Sequence, residues 1–263
     1  LEMHNQTFSI PAKKIISFSK TINYDSINLT ELEKKVIEKM HNWNFLMDKN
    51  SLEASIYSVT KEKIIEQVIN LNYGSLSKET NEEKNVGAVG HVKRFLVPLI
   101  NEHIGNPQSH LLNGNNNWED IFVKALRQAI EFLNKKFGKN VNEWKWGNLH
   151  TTNHQHPLSS EFQAYANILN PKKVPASGDG ETPLAGSTDK NFKIVAASVN
   201  RYAHDPNNWE NSRWIVPLGS SGNPGSKNYS DQLELWSEGK TIPQLWNWEE
   251  IMKTCIEQKL IAG

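Results

Sequence analysis

Apolar positions in residues 1–145 recur at helical spacing. Phe8, Ala12, Ile15, Ile16 and Ser19 share one face, with Pro11 tolerated only in a first turn or at a kink. Thr30 and Glu33 have the spacing of a capping box, in which hydroxyl and carboxylate each satisfy a free amide. Leu32, Val36 and Met40 form the apolar stripe behind it, opposite Glu31, Lys34, Lys35, Glu38 and Lys39. Residues 51–70 predict a longer helix with Leu52, Ile56, Val59, Ile64 and Val68 inward. The polar stretch Ser75 to Asn85 predicts a surface loop, followed by a short helix carrying Val92, Phe95, Leu96 and Leu99. The clearest helix opens at Asn117 and runs through Trp118, Phe122, Ala125, Ala129 and Phe132 to Phe137. Lys135 and Lys136 complement its dipole, and Gly138 supplies the left-handed end.

Beyond residue 145 the apolar runs shorten and Gly, Pro, Ser and Asn become dense. Phe192 to Tyr202 and Arg213 to Leu218 read as strands, and Trp248 to Leu260 as a short terminal helix. Helices first and strands afterwards predict an α+β fold rather than a doubly wound sheet. The division expected is 1–145 helical and 146–263 strand-rich.

Composition narrows the partners. Lys+Arg and Asp+Glu both total 29, so no basic footprint for nucleic acid or anionic membrane stands out. No apolar run spans a bilayer, and residues 1–7 do not read as a signal peptide, so no membrane partner is expected. The single cysteine, Cys255, leaves no internal disulfide or cysteine-rich zinc site and reads as a small apolar residue of the terminal helix.

Three clusters carry candidate chemistry. His150, His154 and His156 could meet at a zinc ion with Asp179 or Glu181, but no helix fixes their spacing and H-E-x-x-H is absent. Loop histidines bonded to nearby backbone are the favoured reading, and no metal is expected. Gly178-Asp179-Gly180-Glu181-Thr182 has carboxylates suited to calcium or acid–base work, and equally the composition of a turn with solvated acids, which is preferred. The Gly219 to Ser226 run follows a strand but is neither a phosphate loop nor a nucleophile elbow, and reads as a tight loop. Trp209, Trp214, Trp246 and Trp248 could stack sugars, although buried anchors are the commoner use.

At this third cluster the sequence resembles the penicillin acylase family of N-terminal-nucleophile amidohydrolases. The family's β chain ends in a serine-containing strand and an arginine, then a strand into G-x-S-G-x-P-x-S-x-H-Y-x-D-Q. In AASVNRYAHDPNNWENSRWIVPLGSSGNPGSKNYSDQLELW the matching residues are Ser198, Arg201, Gly219, Ser221, Gly222, Pro224, Ser226, Tyr229, Asp231 and Gln232. Upstream, WKWGNLHTTNHQHPLS, SGDGETP, MHNWNFLMDKNSLEASIY and HNQTFSIPAKKI are similar to further family segments in the same order. Thr7 and Asn44 replace usual aspartates, Ser220 a common glutamine and Asn228 a common histidine.

The resemblance implies a fragment of an αββα sandwich and a parent enzyme that hydrolyses linear amides through a β-chain N-terminal serine. By that likeness the nucleophile, the oxyanion asparagine and its arginine lie before this segment. No catalytic residue is assigned here, and the chain alone is expected to be inactive. Arg201, Asp205 and Asp231 are expected to join buried polar contacts. No cofactor is expected, and a structural calcium in the parent would find its ligands outside this chain. The implied partners are the remainder of the precursor (α chain and earlier β chain) and a small-molecule amide, and exposed strand edges predispose the fragment to self-association. Family members are often periplasmic or secreted. The alternative is a non-catalytic family descendant acting as an interaction protein.

Overall fold

Helix α1 (Ile10–Ser19) starts where the Ser9 hydroxyl accepts the Ala12 amide at 3.2 Å, which puts Pro11 in the first turn, where no amide is needed. The structure, a computed structural model, describes residues 2–74 and 88–255, with the backbone alone for 88–94. The chain divides into two compact units: Thr7–Leu149, and Leu1–Gln6 together with His150–Gly263.

The first unit is helical. Helix α2 (Glu31–His41) carries the complete capping box: the Thr30 amide donates to Glu33 Oε2 at 2.8 Å, and the Glu33 amide to Thr30 Oγ1 at 3.2 Å. Glu33 is buried because Arg127 Nε reaches its other oxygen at 2.9 Å. With a carboxylate on the inner side, Ile37 joins Val36 and Met40 in the core, and Leu32 stays half-buried rather than inward.

Helix α3 (Leu52–Tyr73) runs three residues beyond the stretch predicted. Every residue from 54 to 60 is buried, so this helix is enclosed on all sides rather than along one stripe. Each isoleucine buried there contributes about 1.5–3 kcal/mol, more than a cap contributes, so packing decides its position. Thr60 discharges its hydroxyl onto Ile56 O at 2.7 Å.

Helix α4 (Ala88–His103) is longer than predicted and holds Pro98 inside it. Leu96 and Ile100 are buried, whereas Phe95 and Leu99 face solvent, contrary to the expected inward face. The predicted loop at Ser75 to Asn85 and the side chain of Val92 lie outside the described residues. Helix α5 (Trp118–Phe137) packs along α3, capped by Asn117 accepting the Asp120 amide at 2.8 Å. Gly138, at φ 82°, closes it by donating to Asn134 O. Helix α6 (Trp146–Leu149) ends the unit, with Trp144 and Trp146 fully buried. Among the described residues no helix is long and apolar enough to cross a membrane.

The second unit joins residues from both ends of the chain. Asn5 Nδ2 donates to Gly239 O at 2.6 Å, and the Leu184 amide to Gln6 O at 3.0 Å. Strands β1 (Gly186–Thr188) and β2 (Ile194–Ala197) form an antiparallel pair. Strands β3 (Arg201–Ala203), β4 (Arg213–Ile215) and β5 (Ile242–Pro243) form an antiparallel sheet in that order. Short helices α7 (Ala166–Leu169), α8 (Leu233–Ser237) and α9 (Trp248–Thr254) flank them. The fold is therefore α+β, with helices preceding antiparallel strands.

The strand read over Phe192 to Tyr202 is two strands, broken at residues 198–200, and the next stops at Ile215 instead of Leu218. The terminal helix ends at Thr254; residues 256–263 lie outside the described ones. Cys255 follows that helix and is exposed, not packed as a small apolar residue.

Replacing Thr30 with Ala should cost about 1 kcal/mol, the usual value of one cap. Glu33→Ala should cost more, roughly 2–3 kcal/mol, because it also strands Arg127. Urea unfolding of both variants measures the difference, and equal losses would dismiss the Arg127 contact.

Candidate functional site

The break between β2 and β3 has a physical cause at Arg201. Its side chain turns inward with only 8% of its surface exposed. There Nε donates to Ser198 Oγ at 2.7 Å and Nη1 to Trp236 O at 2.8 Å. The guanidinium lies 4.4 Å from the centre of the Trp236 ring, and Trp236 Nε1 returns a bond to Ser198 O at 3.1 Å. Ser198, Arg201 and Trp236 thus close a ring of contacts, and the bend at 198–200 points Ser198 back at the guanidinium. Among the described residues no carboxylate pairs with Arg201, and burial pulls it down to about 10, still charged at neutral pH. The stacked indole and two acceptors do the solvating.

The other matched residues build the loop after β4. A Cβ on Gly219 would stand 2.2 Å from Asn228 O and 2.5 Å from Asp231 Oδ1, so only glycine fits. The Ser221 amide donates to Asn228 O at 3.0 Å, and the Gln232 amide to Leu218 O at 2.8 Å. Gln232 is buried and its Oε1 accepts the Val216 amide at 3.2 Å. Ser221 and Ser226 each cap a local turn, accepting the Asn223 and Asn228 amides, while Pro224 sits in the turn between them and Gly222 is open to solvent. Tyr229 Oη donates to Leu169 O at 2.6 Å, tying the loop to α7. These serines are spent on backbone amides; none faces a base.

The expected buried contacts of Asp205 and Asp231 are not found. Asp231 is exposed, and half-exposed Asp205 binds the amides of Asn207 and Asn208 and the side chain of Asn211, which hold its carboxyl below its ordinary range. Both serve local turns.

The three histidines do not converge. His150 is fully buried, its Nδ1 3.2 Å from Phe192 O, which requires a proton on that nitrogen. His154 packs edge-on to Trp236 at 6.1 Å, and His156 Nδ1 accepts the Leu158 amide. Among the described residues no three His, Cys, Asp or Glu side chains are grouped for a metal ion. Asp179 is buried rather than solvated: its Oδ1 accepts the Glu181 amide at 2.8 Å and its amide donates to Thr182 Oγ1 at 2.9 Å. Gly178, at φ +84°, allows that turn, since a Cβ would meet Leu184 O at 2.0 Å.

His150, Gly186, Ile194, Arg201, Trp236 and Ser237 line a cavity of about 10 Å³. That is room for one water and none for an acyl group. The cluster can hold shape, not substrate. Trp236 is the member that sequence reading passed over; its signal is only its place in the apolar Leu233-Glu234-Leu235-Trp236 run. The tryptophans divide against expectation. Trp236 is buried, while Trp209, Trp246 and Trp248 are exposed and Trp214 is half-buried, so the last four are not core anchors.

An α+β chain with this inward arginine and glycine-gated loop defines a structural portion of an amidohydrolase class. The family model for penicillin amidase matches residues 1–253, and the chain belongs to that family. Penicillin acylase 2 proenzyme of Pseudomonas sp. (strain SE83) is 30% identical over 84% of this chain and 28% of its own length. Acyl-homoserine lactone acylase QuiP of Pseudomonas aeruginosa is 26% identical over 58% of this chain and 21% of its own. A solved thermostable penicillin G acylase from Alcaligenes faecalis aligns with 98% of this chain and 47% of its own, at 14% identity and a TM-score of 0.48. The chain spans just over a quarter of the first relative's length.

Gly219→Ala should destabilise strongly or prevent folding, whereas Gly222→Ala, with nothing within 4 Å of the added carbon, should stay within about 0.5 kcal/mol of the parent. Thermal unfolding separates the two, and equal behaviour would dismiss the steric account.

Burial pushes His150 down from 6.5 to about 4. The unfolded chain therefore takes up this proton first. Stability is intact above pH 6.5 and falls by about 3 kcal/mol as pH drops to about 4. Denaturant unfolding across that window should show a shallower slope for His150→Gln; an unchanged slope would contradict the assignment.

Proposed function

We propose that this chain is the C-terminal structural portion of a longer amidohydrolase that cleaves a linear amide, such as the acyl side chain of a β-lactam or another N-acyl compound. The observation that carries the reading is the family match over residues 1–253 combined with a span of only 28% of the Pseudomonas sp. relative. The matched serines here are engaged with backbone and Arg201, which supports a scaffolding role for this portion.

In the proposed enzyme the nucleophile is a serine at a chain terminus in the remaining polypeptide. Its own α-amine takes the hydroxyl proton, directly or through water, and the alkoxide attacks the amide carbonyl. An asparagine side chain and a backbone amide hold the oxyanion, a contact worth roughly 3–4 kcal/mol per donor. The amine product leaves, and water hydrolyses the acyl-enzyme. The strands and loop described above form part of an αββα sandwich behind that serine. No residue of this chain is assigned a bond-making step.

The purified chain alone should give no turnover of a phenylacetyl- or long-acyl-amide chromogen. Production with the remaining polypeptide of its precursor should give turnover that is lost when the terminal serine is replaced by Ala. Hydrolysis by the chain alone would overturn the proposal.

A further inference from the structure

The β3–β4–β5 sheet is apolar on both faces. On the inner face Arg201 and Ile215, paired directly across strands, are buried. On the outer face Tyr202 pairs with Trp214, and Trp214 with Ile242, a row that crosses all three strands. Two residues on from Tyr202, on the same side, His204 packs 5.1 Å from its ring and stands 6.2 and 6.4 Å from Trp209 and Trp246. Trp209 and Trp246 meet edge to face at 4.6 Å. Tyr202 is 53% exposed, Trp209 51% and Trp246 45%.

A sheet covered on one face only normally shows polar residues to water on the other. None of these six side chains is Lys, Arg, Asp or Glu. Aromatic enrichment with charge depletion is the composition of an interface centre, and Trp and Tyr are its usual anchors. Strands of two or three residues are also too short to stand as an outer wall unaided.

We infer that this face is the seat of the remaining polypeptide of the amidase, which lays a further layer over Tyr202, Trp214, Ile242, His204, Trp209 and Trp246. The inference rests on the function proposed above. The occupant follows from length: a chain spanning 28% of its relative leaves most of the polypeptide to supply that layer. A flat sheet face takes a packed layer about 10 Å away.

The test compares this chain alone and in complex with the separately produced remaining polypeptide, by amide hydrogen exchange. Protection confined to 201–204, 209–215 and 242–248 is the expected result. Tyr202→Lys and Trp246→Lys, at exposed positions, should leave the thermal midpoint of the chain alone unchanged and weaken the complex roughly tenfold or more. An active complex in which this face exchanges freely, or which the lysine variants do not weaken, overturns the inference and leaves the proposed function standing. Failure to form any complex or activity overturns both. Lysine variants that abolish only a dimer of this chain, or a face that instead binds soluble oligosaccharides, also overturn it.

Discussion

A charge inside a protein must be solvated by the protein, and in the strand-rich unit that charge is the guanidinium of Arg201. With no carboxylate beside it among the described residues, it relies on an indole face, one hydroxyl and one carbonyl. Leaving such a group without partners costs several kcal/mol, so the backbone yields first. The chain bends at 198–200 to return Ser198, and α8 is placed so that Trp236 offers its ring and carbonyl together. The short strands, the water-sized cavity and the position of His150 all sit around that arrangement.

The helices were legible because their determinants are local. Ser9, Thr30 and Asn117 announce helix starts, and the carboxylate three residues after Thr30 completes a box readable without any structure. Burial along those helices was less legible. Whether Leu32 or Ile37 turns inward depends on Arg127, which lies in another helix, and α3 is enclosed from all sides by partners that its own periodicity does not encode. In the strand-rich part the β propensity of Phe192 to Tyr202 was read correctly as extended chain, but the break was not. Its cause is a contact between Arg201 and Trp236, 35 residues on.

The resemblance behaved differently from the residue-by-residue reading. Ten matched positions pointed to the family without explaining why each residue is there, and the geometry supplies reasons for several of them. Gly219 is needed because two oxygens occupy the space of a side chain, and Tyr229 because its hydroxyl reaches α7. The same geometry corrects Asp205 and Asp231, which are turn residues at the surface rather than partners of the buried charge. Residues that look chemically able, such as Ser221 and Ser226, are committed to their own loop. Family membership and local chemistry thus lead to the same picture of a scaffold.

The bond from Asn5 to Gly239 joins residues 234 apart, with the whole helical unit inserted between them. A ribosome delivers the donor almost first and its acceptor close to last. Closing so long a loop costs about 5 kcal/mol if the intervening chain is loose, and less once residues 7–149 have already collapsed and shortened the path. Synthesis order therefore favours an early helical insert and a late strand-rich unit, whose opening residues wait for translation to pass Gly239.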